Sequence, residues 1–177
     1  LRAANNGIQH AYQTQPRDPK PGDAVTIIVE TGPDVVIEEM ACYFTMDGSN
    51  PKGTKGKASS GEVLFFNQVN LVWDTICWGY RKKWETIIPG QPEGTEVRYS
   101  ISGWNSEGDE IFADWPDVKS TIEHGAKNYF DTKSPPILKF LGNPSESRIF
   151  NYTVDTLEPP IWAKQAVIYH IFVDRFN

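Results

Sequence analysis

Cysteine is scarce in this 177-residue chain: only Cys42 and Cys77 occur, with no Cys-x-x-Cys and no neighbouring histidine spacing. That scarcity argues against a zinc site or a disulfide scaffold. The two thiols are either free or paired across facing strands, and spacing leaves both open. His10, His124 and His170 stand far apart, so no metal-ligand set or catalytic triad emerges; His170, inside an apolar run, reads as a core residue. No hydrophobic stretch approaches a membrane span, and Leu1 to Asn6 carry no apolar signal core. Positive charge is also in deficit. Seventeen Lys and Arg against 23 Asp and Glu give a net charge of -6, which offers no basic stripe and disfavours nucleic acid and anionic membranes as partners. The chain does not begin with methionine, so both ends read as cuts in a longer protein, and its localisation stays undetermined.

What is present points to β-structure. Thirteen prolines, fourteen glycines, six tryptophans, seven tyrosines and nine phenylalanines suit short strands joined by tight turns. Val25, Ile27 and Val29 alternate with Thr26, Ile28 and Glu30, and Met40, Cys42, Phe44 and Met46 alternate with Ala41, Tyr43, Thr45 and Asp47. Val97, Tyr99, Ile101 and Gly103 take one face of a further strand, with Arg98, Ser100, Ser102 and Trp104 on the other. Asn105 to Asp109 then form a hairpin turn. Strands are also expected over residues 62–66, 69–80 and 84–88, while the Pro-containing segment 8–23 reads as irregular or edge structure. Residues 52–61 are small, polar and Gly-rich and predict a mobile, solvated loop; Gly53-x-x-Gly56 lacks the Gly-Lys-Ser/Thr ending of a phosphate loop. These short strands without a helical period predict an all-β fold, an immunoglobulin- or fibronectin-like sandwich over about residues 8–116.

Residues 117–160 lose periodicity and read as an extended linker carrying short strands at 137–141 and 148–154. Residues 161–177 differ again. Ala166 to Val173 is an almost unbroken apolar, β-branched run, the pattern of a strand buried on both faces, and Asp174 and Arg175 close it. Pro159-Pro160-x-Trp162, the apolar run with Tyr169, and Asp174-Arg175-Phe176 together resemble the lead-in to the first strand of the (β/α)8 barrel of the α-amylase superfamily of glycoside hydrolases. Phe150 to Leu157 resembles the segment joining an N-terminal sandwich to such a barrel. Residues 43–49 and 88–99 are similar to parts of the immunoglobulin-like domains that precede it.

The resemblance implies an N-terminal accessory fragment of an α-amylase-type enzyme acting on starch, glycogen or maltodextrins, whose principal partner is its own catalytic barrel. Glycoside hydrolysis needs two carboxyl groups flanking the scissile bond, and the resemblance places them on later barrel strands. No catalytic residue is therefore assigned, nor any metal or cofactor, and the fragment is expected to be inactive. Trp162, Tyr169, Asp174, Arg175 and Phe176 are motif residues with a structural role. The alternative is a stand-alone carbohydrate-binding or fibronectin-like adhesion sandwich without an enzymatic parent. An α-glucan is a further expected partner: pyranose rings lie flat on aromatic faces, and Trp104 with Tyr43 and Arg98 forms the best candidate platform on the polar strand face. Trp73, Trp78 and Trp84 are weaker candidates, with bulky apolar residues on both faces of their strands. The competing reading puts these aromatics in the core or against the barrel.

Overall fold

The computed structural model describes residues 7–33, 35–75, 78–108, 110–113 and 147–167. Alternation explains its central strands. In β3 (Val25–Thr31), Val25, Ile27, Val29 and Thr31 are buried while the residues between them are half-exposed. It pairs antiparallel with β9 (Gly79–Ile88), bringing Val25 opposite Ile88 and Val29 opposite Trp84. The other edge of β3 receives two short strands end to end, β1 (Ile8–Gln9) and β2 (Thr14–Gln15), and β8 (Asn67–Asp74) flanks β9. The expected strand over 69–80 is thus two strands, because the chain reverses between Asp74 and Gly79 and sets Trp73 opposite Tyr80.

A second antiparallel sheet runs in the order β11 (Glu110–Phe112), β10 (Glu96–Trp104), β4 (Glu39–Thr45), β7 (Glu62–Phe65). Its core face supplies Met40, Cys42, Phe44, Val97, Tyr99 and Ile101, which pack with Val25, Ile27, Val29, Trp84 and Ile88 of the first sheet in one buried cluster. The molecule is an all-β sandwich of two such sheets. Beside β11, the free edge of β10 is filled by β12 (Phe150–Thr153), with Tyr99 opposite Phe150 and Val97 opposite Tyr152. The strand expected within 148–154 therefore lies in the sandwich. Val154 continues the seal, donating to the Thr95 carbonyl at 2.9 Å and accepting from the Gly94 amide at 2.8 Å.

Two further differences from the sequence pattern matter for the site. Residues 52–61 do not form a mobile loop: Lys52–Thr54 (β5) and Lys57–Ser60 (β6) make an ordered hairpin. Its small residues allow it to lie on the outer face of β4, so that β4 is buried on both sides from Met40 to Thr45. Beyond β12, Ile161–Gln165 form a one-turn helix, α1, after Pro160. Ala166 is extended and Val167 exposed, and the remainder of the strand expected over 166–173 lies outside the described residues, as does the one expected over 137–141.

Candidate functional site

The pairing of β10 with β4 places Tyr43 opposite Ser100 and Ala41 opposite Ser102, so Tyr43, Ser100, Ser102 and Trp104 share the outer face of the second sheet. Tyr43 and Trp104 are brought into one cluster with Ala41. That cluster is covered, since Tyr43 is 0% and Trp104 8% exposed beneath the β5–β6 hairpin. The Gly56 amide donates to Tyr43 Oη at 2.8 Å, and Tyr43 Oη lies 3.2 Å from Ser102 Oγ. Ser102 Oγ in turn donates to Glu110 Oε1 at 2.7 Å, and the same oxygen accepts from the Lys55 amide at 2.7 Å. Thr54 Oγ1 bonds the other carboxylate oxygen of Glu110. The Glu110 side chain thus latches the hairpin tip to the sheet. Burial raises the Tyr43 hydroxyl above its usual pKa, against the lowering effect of its bonds to Ser102 and Gly56.

Arg98 points elsewhere. Its Nε donates to Glu96 Oε1 at 2.8 Å and its Nη1 to Asn50 Oδ1 at 3.1 Å, at the opposite end of β10 from Trp104. The Arg98 hydrogen bond is the first cause of the lowered Glu96 pKa. Tyr43 and Trp104 are thus covered by the hairpin, and the Arg98 guanidinium is engaged by Glu96 and Asn50.

The covering is tight enough to test. A Cβ at Gly53 would lie 2.1 Å from Tyr43 Cδ1, far inside van der Waals contact. Gly53→Ala is expected to cost about 1–3 kcal/mol and to lift the hairpin. Thermal melting and a red shift of tryptophan emission, as Trp104 becomes wetter, are the measurements; an unchanged melt would show that the hairpin does not sit on Tyr43.

The motif residues are partly visible. Trp162 lies on α1 and is 71% exposed. Tyr169, Asp174, Arg175 and Phe176 lie outside the described residues, as do Cys77, His124 and His170. Cys42 is buried, and burial pushes its thiol pKa well up, which leaves an unreactive core thiol. Among the described residues, no group of three or more His, Cys, Asp or Glu is placed to hold a metal ion, and no helix is long and apolar enough to cross a membrane.

A different set of aromatics is open. Trp73 of β8, Trp78 in the turn and Tyr80 of β9 are 44%, 78% and 54% exposed. The Trp73 ring lies 5.7 Å from that of Trp78 and 5.1 Å from that of Tyr80, with interplanar angles of 69° and 73°. Period two along β9 puts Tyr80 and Lys82 on the face that carries buried Trp84 and Ile88, so this end of the hairpin extends the core face beyond its cover. Next to Trp73 is a cavity of about 300 Å³, lined also by Glu30, Asp74, Arg81, Lys82 and Lys83. Arg81 bonds Glu30 at 2.8 Å and Asp74 at 3.2 Å, and Lys83 pairs with Glu85 at 2.7 Å. Trp84, weighed with Trp73 and Trp78 from sequence, is instead a core residue whose Nε1 donates to Thr31 Oγ1 at 3.2 Å. Tyr80 was missed. The signal was the Asp74-Thr75 and Gly79 punctuation inside an otherwise apolar run.

No protein-family model matches the chain, and no curated protein matches it significantly. Solved structures do. A cycloalternan-forming enzyme from Listeria monocytogenes, determined with a pentasaccharide substrate, is 19% identical over 61% of this chain and 10% of its own length, with a TM-score of 0.46. A cycloalternan-degrading enzyme from Trueperella pyogenes, determined with cycloalternan, is 16% identical over 61% of this chain and 17% of its own, with a TM-score of 0.42. The chain therefore spans 10% and 17% of the lengths of these two proteins.

Proposed function

We propose that this chain is the N-terminal, non-catalytic part of an α-amylase-type glycoside hydrolase that acts on α-glucans such as starch, glycogen or maltodextrins. The observation that carries the reading is the succession of residues 150–176. The last sandwich strand, β12, leads through Val154 and the Pro159-Pro160 pair to α1 and Trp162, and the sequence then runs into the pattern ending Asp174-Arg175-Phe176. That pattern resembles the first strand of an amylase-type barrel, and the segment before it resembles the junction from sandwich to barrel. The sandwich then acts as an accessory domain whose partner is the catalytic barrel of the same polypeptide.

The chemistry agrees with a non-catalytic role. Hydrolysis of a glycosidic bond requires an acid and a nucleophile or base held several ångströms apart across an open cleft. The carboxylates best fixed here are engaged otherwise: Glu30 and Asp74 on Arg81, Glu96 on Arg98, and Glu110 on Ser102 and the hairpin tip. Residues 1–177 alone are expected to release no reducing sugar from soluble starch or maltodextrins, whereas the full product of the gene hydrolyses them. Turnover by the isolated chain, or a downstream reading frame encoding another sandwich repeat in place of a barrel, overturns the reading.

A further inference from the structure

We infer that Trp73, Trp78 and Tyr80 form a cradle for a neutral pyranosyl oligosaccharide at the tip of the β8–β9 hairpin. Two independent observations lead there. Three large aromatic rings, Trp78 and Tyr80 each against Trp73, are left open to solvent, with Trp73, Trp78 and Tyr80 at 44%, 78% and 54% exposure. And Trp78, the most exposed of them, holds a left-handed backbone conformation with φ of 53°. A bulky residue is strained in that region, where glycine or asparagine sits without cost. An indole that is both strained and mostly exposed gains little for the fold by being there, and strain of this kind accumulates at ligand sites.

The geometry suits a sugar. Aliphatic C–H faces of a pyranose stack on one indole, while rings standing at 69° and 73° to Trp73 wall the sides of the ligand. A cavity of about 300 Å³ borders Trp73, but strand alternation puts its Glu30, Asp74, Arg81 and Lys83 on the sheet face opposite Tyr80, so it is not part of the cradle. The charges on that reverse face are paired among themselves, Arg81 with Glu30 and Asp74, and Lys83 with Glu85. They exert little net field at the rings, which favours an uncharged ligand over an anion or cation. Leu71, opposite Lys82, shares the face of Trp73 and Tyr80 and adds one exposed aliphatic to the patch, whereas Val72, opposite Arg81, lies on the other face.

The test is isothermal titration and affinity electrophoresis of residues 1–177 with maltoheptaose, isomaltoheptaose and cellohexaose. Wild type binds at least one of them. Trp78→Gly weakens that binding on the order of tenfold or more while the melting temperature stays level or rises, because the backbone strain is relieved. A ring with a merely structural role would show the reverse, a lower melt and unchanged affinity. The linkage preferred by the cradle, but not its existence, rests on the function proposed above: binding of cellohexaose alone keeps the cradle and counts against the α-glucan reading, whereas binding of no oligosaccharide at millimolar concentration removes the cradle and leaves the starch assay standing. A dimer by sedimentation that Trp78→Gly dissolves, with no sugar bound, gives this face to a second copy and overturns the inference.

Discussion

Phe150→Ala is expected to remove about 3–5 kcal/mol of folding stability and to lower the melting temperature by about 10 °C. Phe150 is fully buried although it follows the core strand β10 by some distance in the chain. Its ring meets His10 edge-on at 4.7 Å and Tyr12 at 5.4 Å, and it stacks on Tyr99 at 5.5 Å. Truncation removes these contacts together and leaves a cavity between two strands that cannot close on it. Trp162→Ala supplies the contrast. That side chain is 71% exposed, so its loss is expected to stay within about 0.5 kcal/mol in this chain. Chemical denaturation of both variants checks the pair. A near-neutral Phe150→Ala would mean that β12 is not an integral strand of the sandwich.

Folding stability is expected to fall by about 3 kcal/mol as pH drops from near 6.5 to near 4, through one residue. His10 is 0% exposed. Its Nδ1 lies 2.8 Å from the Ile28 carbonyl and must donate to it, so in the neutral ring Nε2 accepts from the Tyr99 hydroxyl at 2.7 Å. Burial lowers the His10 pKa from 6.5 to about 4, against the raising effect of the Ile28 bond. Between those two values the unfolded chain binds a proton that the folded chain refuses. Acid therefore favours unfolding across this window, and the stability is fully present above it. Protonation would also turn Nε2 into a donor facing Tyr99 and break the arrangement in which the hydroxyl donates.

His10→Gln retains a donor and an acceptor but does not titrate, so the difference in unfolding free energy between wild type and this variant should shrink steadily as pH falls through the window. Urea titrations at several pH values measure it. A difference independent of pH would show that the ring is hydrated or already charged in the folded state.

Much of this architecture was legible in the residues. The alternation of Val25, Ile27 and Val29 dictates which face of β3 is buried, and the alternation from Val97 to Trp104 does the same for β10. The reversal at residues 105–109 is written in Asn, Ser and Gly, residues that tolerate tight turns. The shared face of Tyr43 and Trp104 was also readable, because period two fixes a face once two strands are neighbours. Whether that face is open was not. Gly53, Gly56 and Ala58 carry almost no hydrophobic signal, yet their small size lets a polar hairpin settle on Tyr43.

What the sequence by itself determined was the class of fold, the alternating faces of the central strands and the motif at residues 159–176, because each of these is a local pattern of residue types. Only the tertiary structure decided which aromatics meet solvent. Burial depends on what a distant segment lays over a face: the β5–β6 hairpin closes Tyr43 and Trp104, β12 arrives to seal Tyr99, and nothing among the described residues covers Trp78. Local periodicity says which way a side chain points, but only long-range packing says what it finds there.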